Sequence, residues 1–310
     1  MASGDIAPSL PVSLMPFRPA RALGALAGGI VVGWCYLLSF LLLYRGLTLD
    51  TSIDQLGPFL GSGFFFVLGS LYGYWTWGCQ TLTYIVDRNA LTIRWGAVRQ
   101  VIPLDKIERL VPGNEVEHPH IEGVSWPGHH IGRANVETIG EALFYSTHRT
   151  MGEVLYVQTP GETYAISVAD PVVFAEAIQV YQARGTLFDE PQTVRRWGVA
   201  AQSFWVDKLA LALTAVLFAT FAAALGYVLA QYPDLSQSVA LRFPSLGGIL
   251  RVGDKSALLD IPRSAAGFLA VNLTLAVFLH SWERMVSYVL LLSGIAIQVM
   301  LLVAAVLAVA

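Results

Sequence analysis

The chain has 310 residues, 55% of them hydrophobic and 13% charged, with a formal net charge of -3. An average soluble domain carries about 25% charged residues, and the apolar residues here are gathered in long runs, so a single water-soluble core is excluded in favour of membrane helices. The mildly negative charge lacks the basic footprint of nucleic-acid binding, and nucleic acid is not expected as a partner. Cys35 and Cys79 both lie in or beside apolar runs without metal-ligand spacing. They are expected as reduced packing residues rather than as a disulfide.

In chain order, residues 1–20 carry Pro8, Pro11, Pro16 and Pro19 and are expected as an irregular tail. Residues 21–78 read as two transmembrane helices. The first, Ala22 to Tyr44, is uncharged and too long for a signal peptide. Its Gly24, Gly28, Gly29 and Gly33 offer close-packing positions against a neighbouring helix. The second, Pro58 to about Gly78, ends in Tyr72, Tyr74, Trp75 and Trp77, aromatics that favour the headgroup level of a bilayer.

From Thr81 to Leu110 the pattern changes to period two. Tyr84 and Val86 precede an Asp87-Arg88-Asn89 turn, then Leu91, Ile93 and Trp95 share a face, and Gly96-Ala97 turns the chain into Val98, Val101 and Leu104. Such alternation broken by turn residues predicts antiparallel strands. Residues 112–140, rich in Gly, Pro, His and Glu, are expected as a long loop. Strands resume at 142–147, 153–158 and 163–168. Asp170-Pro171 then opens an amphipathic helix with Val173, Phe174, Ala177, Ile178 and Tyr181 on one stripe. Residues 79–187 thus form a β domain of about seven antiparallel strands in a half-open barrel closed by one helix.

A linker, 188–204, leads to three further spans in residues 205–310: about 209–230, 264–281 and 285–309, with a loop at 231–263. The fold class is a multi-pass α-helical membrane protein with an inserted α+β domain. With the N-terminus inside, Arg18, Arg21, Arg195, Arg196, Lys208 and Arg284 fall on the cytoplasmic side, against Arg45, Arg242, Arg251, Lys255 and Arg263 outside. That bias predicts a cytoplasmic β domain and an extracytoplasmic C-terminus.

The run YIVDRNALTIRWGAVRQVIPLDKIERL (Tyr84, Val86, Leu91, Ile93, Gly96, Ile102, Pro103, Leu104 and Ile107) resembles the bacterial pleckstrin-homology-like (PH-like) domain family, and TYAISVADPVVFAEAI resembles that family's last strand and helix. The resemblance spans roughly Cys79 to Arg184 and contains no catalytic signature. A weaker one lies in VALRFPSLGGILRVGDKSALLDIP, which looks like a bacterial membrane domain of unknown function also found in toxin-immunity proteins. Val239, Leu241, Phe243, Gly247, Arg251, Gly253, Lys255, Leu259, Pro262 and Asn272 fit that pattern, whereas Arg242, Pro244 and Ile249-Leu250 depart from it.

Three candidate sites emerge. His118, His120, His129 and His130, beside Glu115, Glu117 and Glu122, are the one cluster with metal-binding side chains, but without a zinc spacing, and a solvated loop is the expectation. Arg94 and Arg99 flank one turn and, with Trp75 and Trp77, are candidates for contact with the leaflet. Residues 79–197 carry 10 basic and 14 acidic side chains, which argues against a dedicated phosphate pocket. Asn272 and Gln298 lie at membrane depth, where an interhelical polar pair is expected. Catalytic motifs are absent; Ser125 and Ser146 stand near histidines only along the chain. The expected function is therefore that of a non-enzymatic protein of the bacterial cell membrane. Its PH-like domain would scaffold a protein partner or a second copy beside the bilayer, with no cofactor and no small-molecule substrate. The alternative is an envelope-stress or toxin-immunity-type factor acting through the last spans and outer loop.

Overall fold

The computed structural model describes residues 15–115, 119–242 and 250–309. The chain divides into two compact units. One is Gly69–Trp197 with the chain up to Gly33, the other Trp34–Leu68 with the chain from Gly198 onward.

The first unit holds the start of helix α1 (Ala22–Thr48), the end of helix α2 (Leu56–Thr81) and the β domain. Its first sheet contains β1 (Met15–Phe17), β2 (Thr83–Val86), β3 (Ala90–Trp95), β4 (Val98–Pro103) and β11 (Thr193–Arg196), in the order β1-β2-β3-β4-β11. The second contains β5 (Arg109–Pro112), β6 (Glu122–Trp126), β7 (His129–Val136), β8 (Gly140–Ser146), β9 (Val154–Gln158) and β10 (Thr163–Ser167), in the order β5-β9-β10-β8-β7-β6.

Tyr84, Leu91, Ile93, Trp95 and Ile102 from the first sheet meet Leu155, Val157, Tyr164 and Ile166 from the second in one buried core. Helix α3 (Pro171–Arg184) closes that core with Phe174, Ile178 and Tyr181. Asp170 caps α3, its Oδ1 accepting from the amides of Val172 and Val173 at 3.1 Å each, which satisfies two of the helix's orphan donors. Val173, expected on the buried stripe, is 49% exposed. A second apolar cluster, including Val111, Val136, Phe144 and Tyr156, lies within the six-stranded sheet region.

Several expectations need correction. The tail is not irregular to residue 20: Met15–Phe17 pairs antiparallel with β2, and the Phe17 ring meets Phe174 edge-on at 5.1 Å. Pro16 is compatible with this because β1 is an edge strand, where a missing ladder donor is tolerated. The 188–204 linker contains β11, which extends the first sheet along β4. The sheets are not wholly antiparallel, since β10 inserts between β9 and β8 and runs parallel to β8. The expected 112–140 loop contains a hairpin, β6–β7. Its alternation is masked by Gly123 and Gly132, which face one another across the strands. A Cβ on either would lie 2.3 Å from a carbonyl of the opposite strand, so these positions require glycine for close approach and cannot show an apolar period. Residues 1–14 of the expected tail, His118 and Glu117, and Phe243, Pro244, Gly247 and Ile249 lie outside the described residues.

The second unit contains the remainder of α1 and α2 with α4 (Lys208–Gln231), α5 (Asp260–Leu279) and α6 (Arg284–Val309). Ser39 donates to the Ser62 carbonyl at 3.0 Å, and the Gln55 amide donates to the carbonyls of Gly46 and Leu49, tying α1 to α2. Phe204, Leu217, Ala276 and Leu291 form a core shared by α4, α5 and α6. The 231–263 segment is more than a loop: β12 (Ser238–Arg242) and β13 (Leu250–Asp254) pair antiparallel, and α5 begins at Asp260. Among the described residues, five helices, Ala22–Thr48, Ile53–Thr81, Lys208–Asp234, Lys255–Leu279 and Arg284–Val309, are long and apolar enough to cross a bilayer. Their outward side chains include Phe40, Phe64 and Met300, each more than 60% exposed, a surface that water disfavours and acyl chains accept.

Candidate functional site

Three constellations surround the place where α1 and α2 enter the β domain. The first is an aromatic seam. The tip of the β6–β7 hairpin meets the start of α1, where the Trp126 indole donates to the Gly24 carbonyl at 3.0 Å. Gly24 is there because nothing larger fits: a Cβ would stand 2.1 Å from the Gly128 carbonyl oxygen. Gly28 likewise receives Thr76 and Trp126, while Gly29 and Gly33 have open space. The first two small positions thus accept a β-hairpin tip, not only a helix as expected. On α2, Gly78 carries Trp95, whose indole would lie 2.5 Å from a Cβ there.

Trp75 and Trp77, expected at the headgroup level and as candidates for leaflet contact, also pack against other rings. Trp75 approaches Tyr72 and Trp126, and Trp77 approaches Tyr74 and Trp197. His129 lies inside the seam, fully buried, 4.5 Å from Trp126 and stacked at 6.2 Å on Trp95. Burial pushes its imidazole down to about 4, because the charged form loses its hydration.

The second constellation is a row of arginines. Arg94 of β3 stands directly opposite Arg99 of β4, and Arg99 directly opposite Arg195 of β11. Directly paired residues project from the same face, so three cations stand side by side. Like charges so placed repel, and no ion pair among the described residues includes them. The β3–β4 turn beside them lies against α2, since a Cβ on Gly96 would meet Trp77 at 3.2 Å. Arg195, expected only as a basic residue on the cytoplasmic side, was not foreseen as a member of this row because β11 lay within an expected linker; the period-two step between Thr193 and Arg195 is the signal for it.

The third is polar. The register aligns Ser125 of β6, His130 of β7 and Ser146 of β8 in one row. Ser125 Oγ lies 2.8 Å from His130 Nδ1, and Ser146 Oγ 2.8 Å from His148 Nδ1. The two imidazoles stack at 4.1 Å. Sequence spacing did not reveal these contacts because they are made across strands. A cleft of 340 Å³ opens over the row, lined by His120, Ser125, His130, His148 and Arg149.

These placements separate the expected histidine cluster. His129 is packed among indoles, His130 is bonded to Ser125, and His120 is exposed in the cleft. Among the described residues no three His, Cys, Asp or Glu side chains converge to hold a metal. Cys35 and Cys79 are free and buried. Asn272 and Gln298 do not form the expected pair. The Asn272 amide donates to Phe268 of its own helix at 3.0 Å, and the Gln298 amide to the Ala265 carbonyl of α5 at 2.7 Å. In the same unit Asp207 accepts from the Tyr288 hydroxyl at 2.6 Å and lies 3.4 Å from His280. The Tyr288 bond and the α4 amides hold that carboxyl below its usual range.

Residues 82–182 match the family model described as bacterial PH domain. Comparison with the curated proteins and with the solved structures returned no match. The match begins at the strand that follows α2 and ends within α3, so it covers the shared core of the two sheets and its closing helix. The chain therefore carries a bacterial PH domain at residues 82–182, within a sequence that has, among the described residues, five helices long and apolar enough to cross a bilayer.

Proposed function

We propose that the chain is a multi-pass protein of the bacterial cell membrane whose PH domain is held at the cytoplasmic face as a platform for a protein partner or a second copy. The observation that carries this reading is the hydrogen bond from Trp126 to Gly24, which fastens the domain to the root of an apolar helix. A domain fixed in that way presents constant faces, which favours recognition by reducing the ordering cost of binding. The row of Arg94, Arg99 and Arg195 beside the Trp77 end of α2 supports contact with an anionic leaflet and favours the cytoplasmic side. Val172, Val180 and Phe188, all well exposed on or just after α3, offer apolar area for a partner.

The envelope-factor alternative rests on the β12–β13 hairpin, which occupies the region of the second resemblance. A photo-crosslinking amino acid placed in living cells at Val172, Phe188 or Gln237 separates the two. Discrete adducts from Val172 or Phe188 support the platform. Adducts confined to Gln237 contradict it and favour the envelope factor.

A further inference from the structure

The cleft beside the β6–β7 hairpin has a chemical asymmetry that an interaction role does not use. His130 Nε2 lies 3.2 Å from the backbone carbonyl of His148. A carbonyl only accepts, so Nε2 carries the ring proton and Nδ1 presents a lone pair. The Ser125 hydroxyl, 2.8 Å from that lone pair, is consequently the donor. Ser125 is exposed while His130 is half-buried. The stacked His148 ring and the carbonyl fix the imidazole's orientation. These are the three elements of an activated hydroxyl: an accessible nucleophile, a base in the correct tautomer, and a group that orients the base.

We infer that Ser125 is a nucleophile activated by His130, and that the cleft hydrolyses carboxylic esters with an apolar acyl arm. Ser125 Oγ bonds to the ester carbonyl carbon while its proton passes to His130 Nδ1. The carbon–oxygen bond to the alcohol then breaks, and His130 returns the proton to the departing oxygen. Water, deprotonated by the same nitrogen, releases the acid and restores Ser125. Atoms and protons balance with water as the sole co-reactant.

Arg149 lines both the cleft and an adjoining one of 500 Å³ and is the cation among their lining residues, the group on hand to favour the oxyanion that develops on the carbonyl oxygen. The adjoining cleft is walled by Leu23, Trp126 and Pro127, an apolar surface suited to an acyl chain. Leu23 belongs to the first turn of α1, so that wall begins at the root of a membrane helix. The orienting group is a neutral carbonyl rather than a carboxylate. It stabilises the imidazolium less, which restricts the chemistry to esters rather than amides. Burial holds His130 below its ordinary value, so the base is neutral at pH 7. The inference goes beyond the platform reading and stands independently of it.

The test uses the full-length protein in mild detergent with an alkyl fluorophosphonate and p-nitrophenyl decanoate. Wild type is expected to form an adduct at Ser125. Ser125→Ala should abolish labelling and turnover, His130→Phe should slow both by ~100-fold or more, and Ser281→Ala, at an exposed serine of the other unit, should retain them. In Ser125→Cys, which leaves the base in place, iodoacetamide alkylation should show a lower pH midpoint than in Gln237→Cys. Absence of a Ser125 adduct, labelling unchanged in a folded His130→Phe variant, or equal midpoints for the two cysteines would overturn the assignment.

Discussion

The Trp126 indole nitrogen donates to the Gly24 carbonyl at 3.0 Å, joining residues 102 positions apart in sequence. Because the Gly128 carbonyl occupies the space where a Gly24 side chain would project, this junction is sensitive to a single methyl group. Alanine in place of glycine within a helix normally stabilises by ~1 kcal/mol. Gly24→Ala should do the reverse and cost about 1–3 kcal/mol through overpacking, whereas Gly29→Ala, in open space, should be neutral or stabilising. Thermal unfolding of the two variants in one detergent checks the contrast. Equal stabilisation of both would mean that the hairpin tip does not rest on α1.

Acid should loosen the same junction. The His129 folded value, about 4, lies below the ordinary 6.5, so between those values the unfolded chain binds a proton that the folded one refuses. Stability is therefore complete above about pH 6.5 and declines as pH falls toward 4, by roughly 3 kcal/mol over the window. His130 is shifted in the same direction by burial and adds to the slope. His129→Phe, which removes a buried ring lacking hydrogen-bond partners among the described residues, should flatten the profile. Melting curves from pH 7 to 4.5 that coincide for wild type and variant would refute this.

The arginine row predicts opposite effects in two environments. In neutral detergent, Arg99→Gln removes the central member of three aligned cations and should stabilise the fold by about 0.2–1 kcal/mol. In vesicles containing phosphatidylglycerol the same change should remove ~1 kcal/mol of attraction to the leaflet. Unfolding by denaturant in the two media reads the difference. A variant that loses stability equally in both would show that the row is held by the protein alone.

Within the helical unit, Gln298 and Asn272 should differ. Gln298→Leu removes the bond from α6 to the Ala265 carbonyl of α5 and should cost about 0.6–2 kcal/mol. Asn272→Leu removes a bond within its own helix and should matter less. Steric-trap or detergent-titration measurements of helix-bundle unfolding order the two; a larger loss for Asn272→Leu would contradict the hydrogen-bond assignment.

The apolar helices and the first three core strands were legible because each carries its own period. Leu91, Ile93 and Trp95 alternate, and α1 from Ala22 to Tyr44 and α6 from Met285 to Val309 carry no charged side chain. Asp170-Pro171 announced α3 by cap chemistry, together with the stripe of Phe174, Ala177, Ile178 and Tyr181. What escaped was structure made by contacts remote in sequence. The β6–β7 hairpin hides behind Gly123 and Gly132, chosen for backbone approach rather than for side-chain pattern. Strands β1 and β11 are four residues or shorter and acquire their identity only by pairing with β2 and β4. The polar row had the same fate, since Ser125, His130 and Ser146 are neighbours only across three strands.

The cytoplasmic platform is tested most directly by sidedness. In a background with Cys35→Ala and Cys79→Ala, single cysteines at Glu176 on α3 and Gln237 before β12 are exposed positions in the two units. With a membrane-impermeant maleimide on intact cells, Gln237→Cys is expected to label at once and Glu176→Cys only after permeabilisation. Labelling of Glu176→Cys in intact cells, with Gln237→Cys protected or labelled alike, would place the PH domain outside and contradict the proposal.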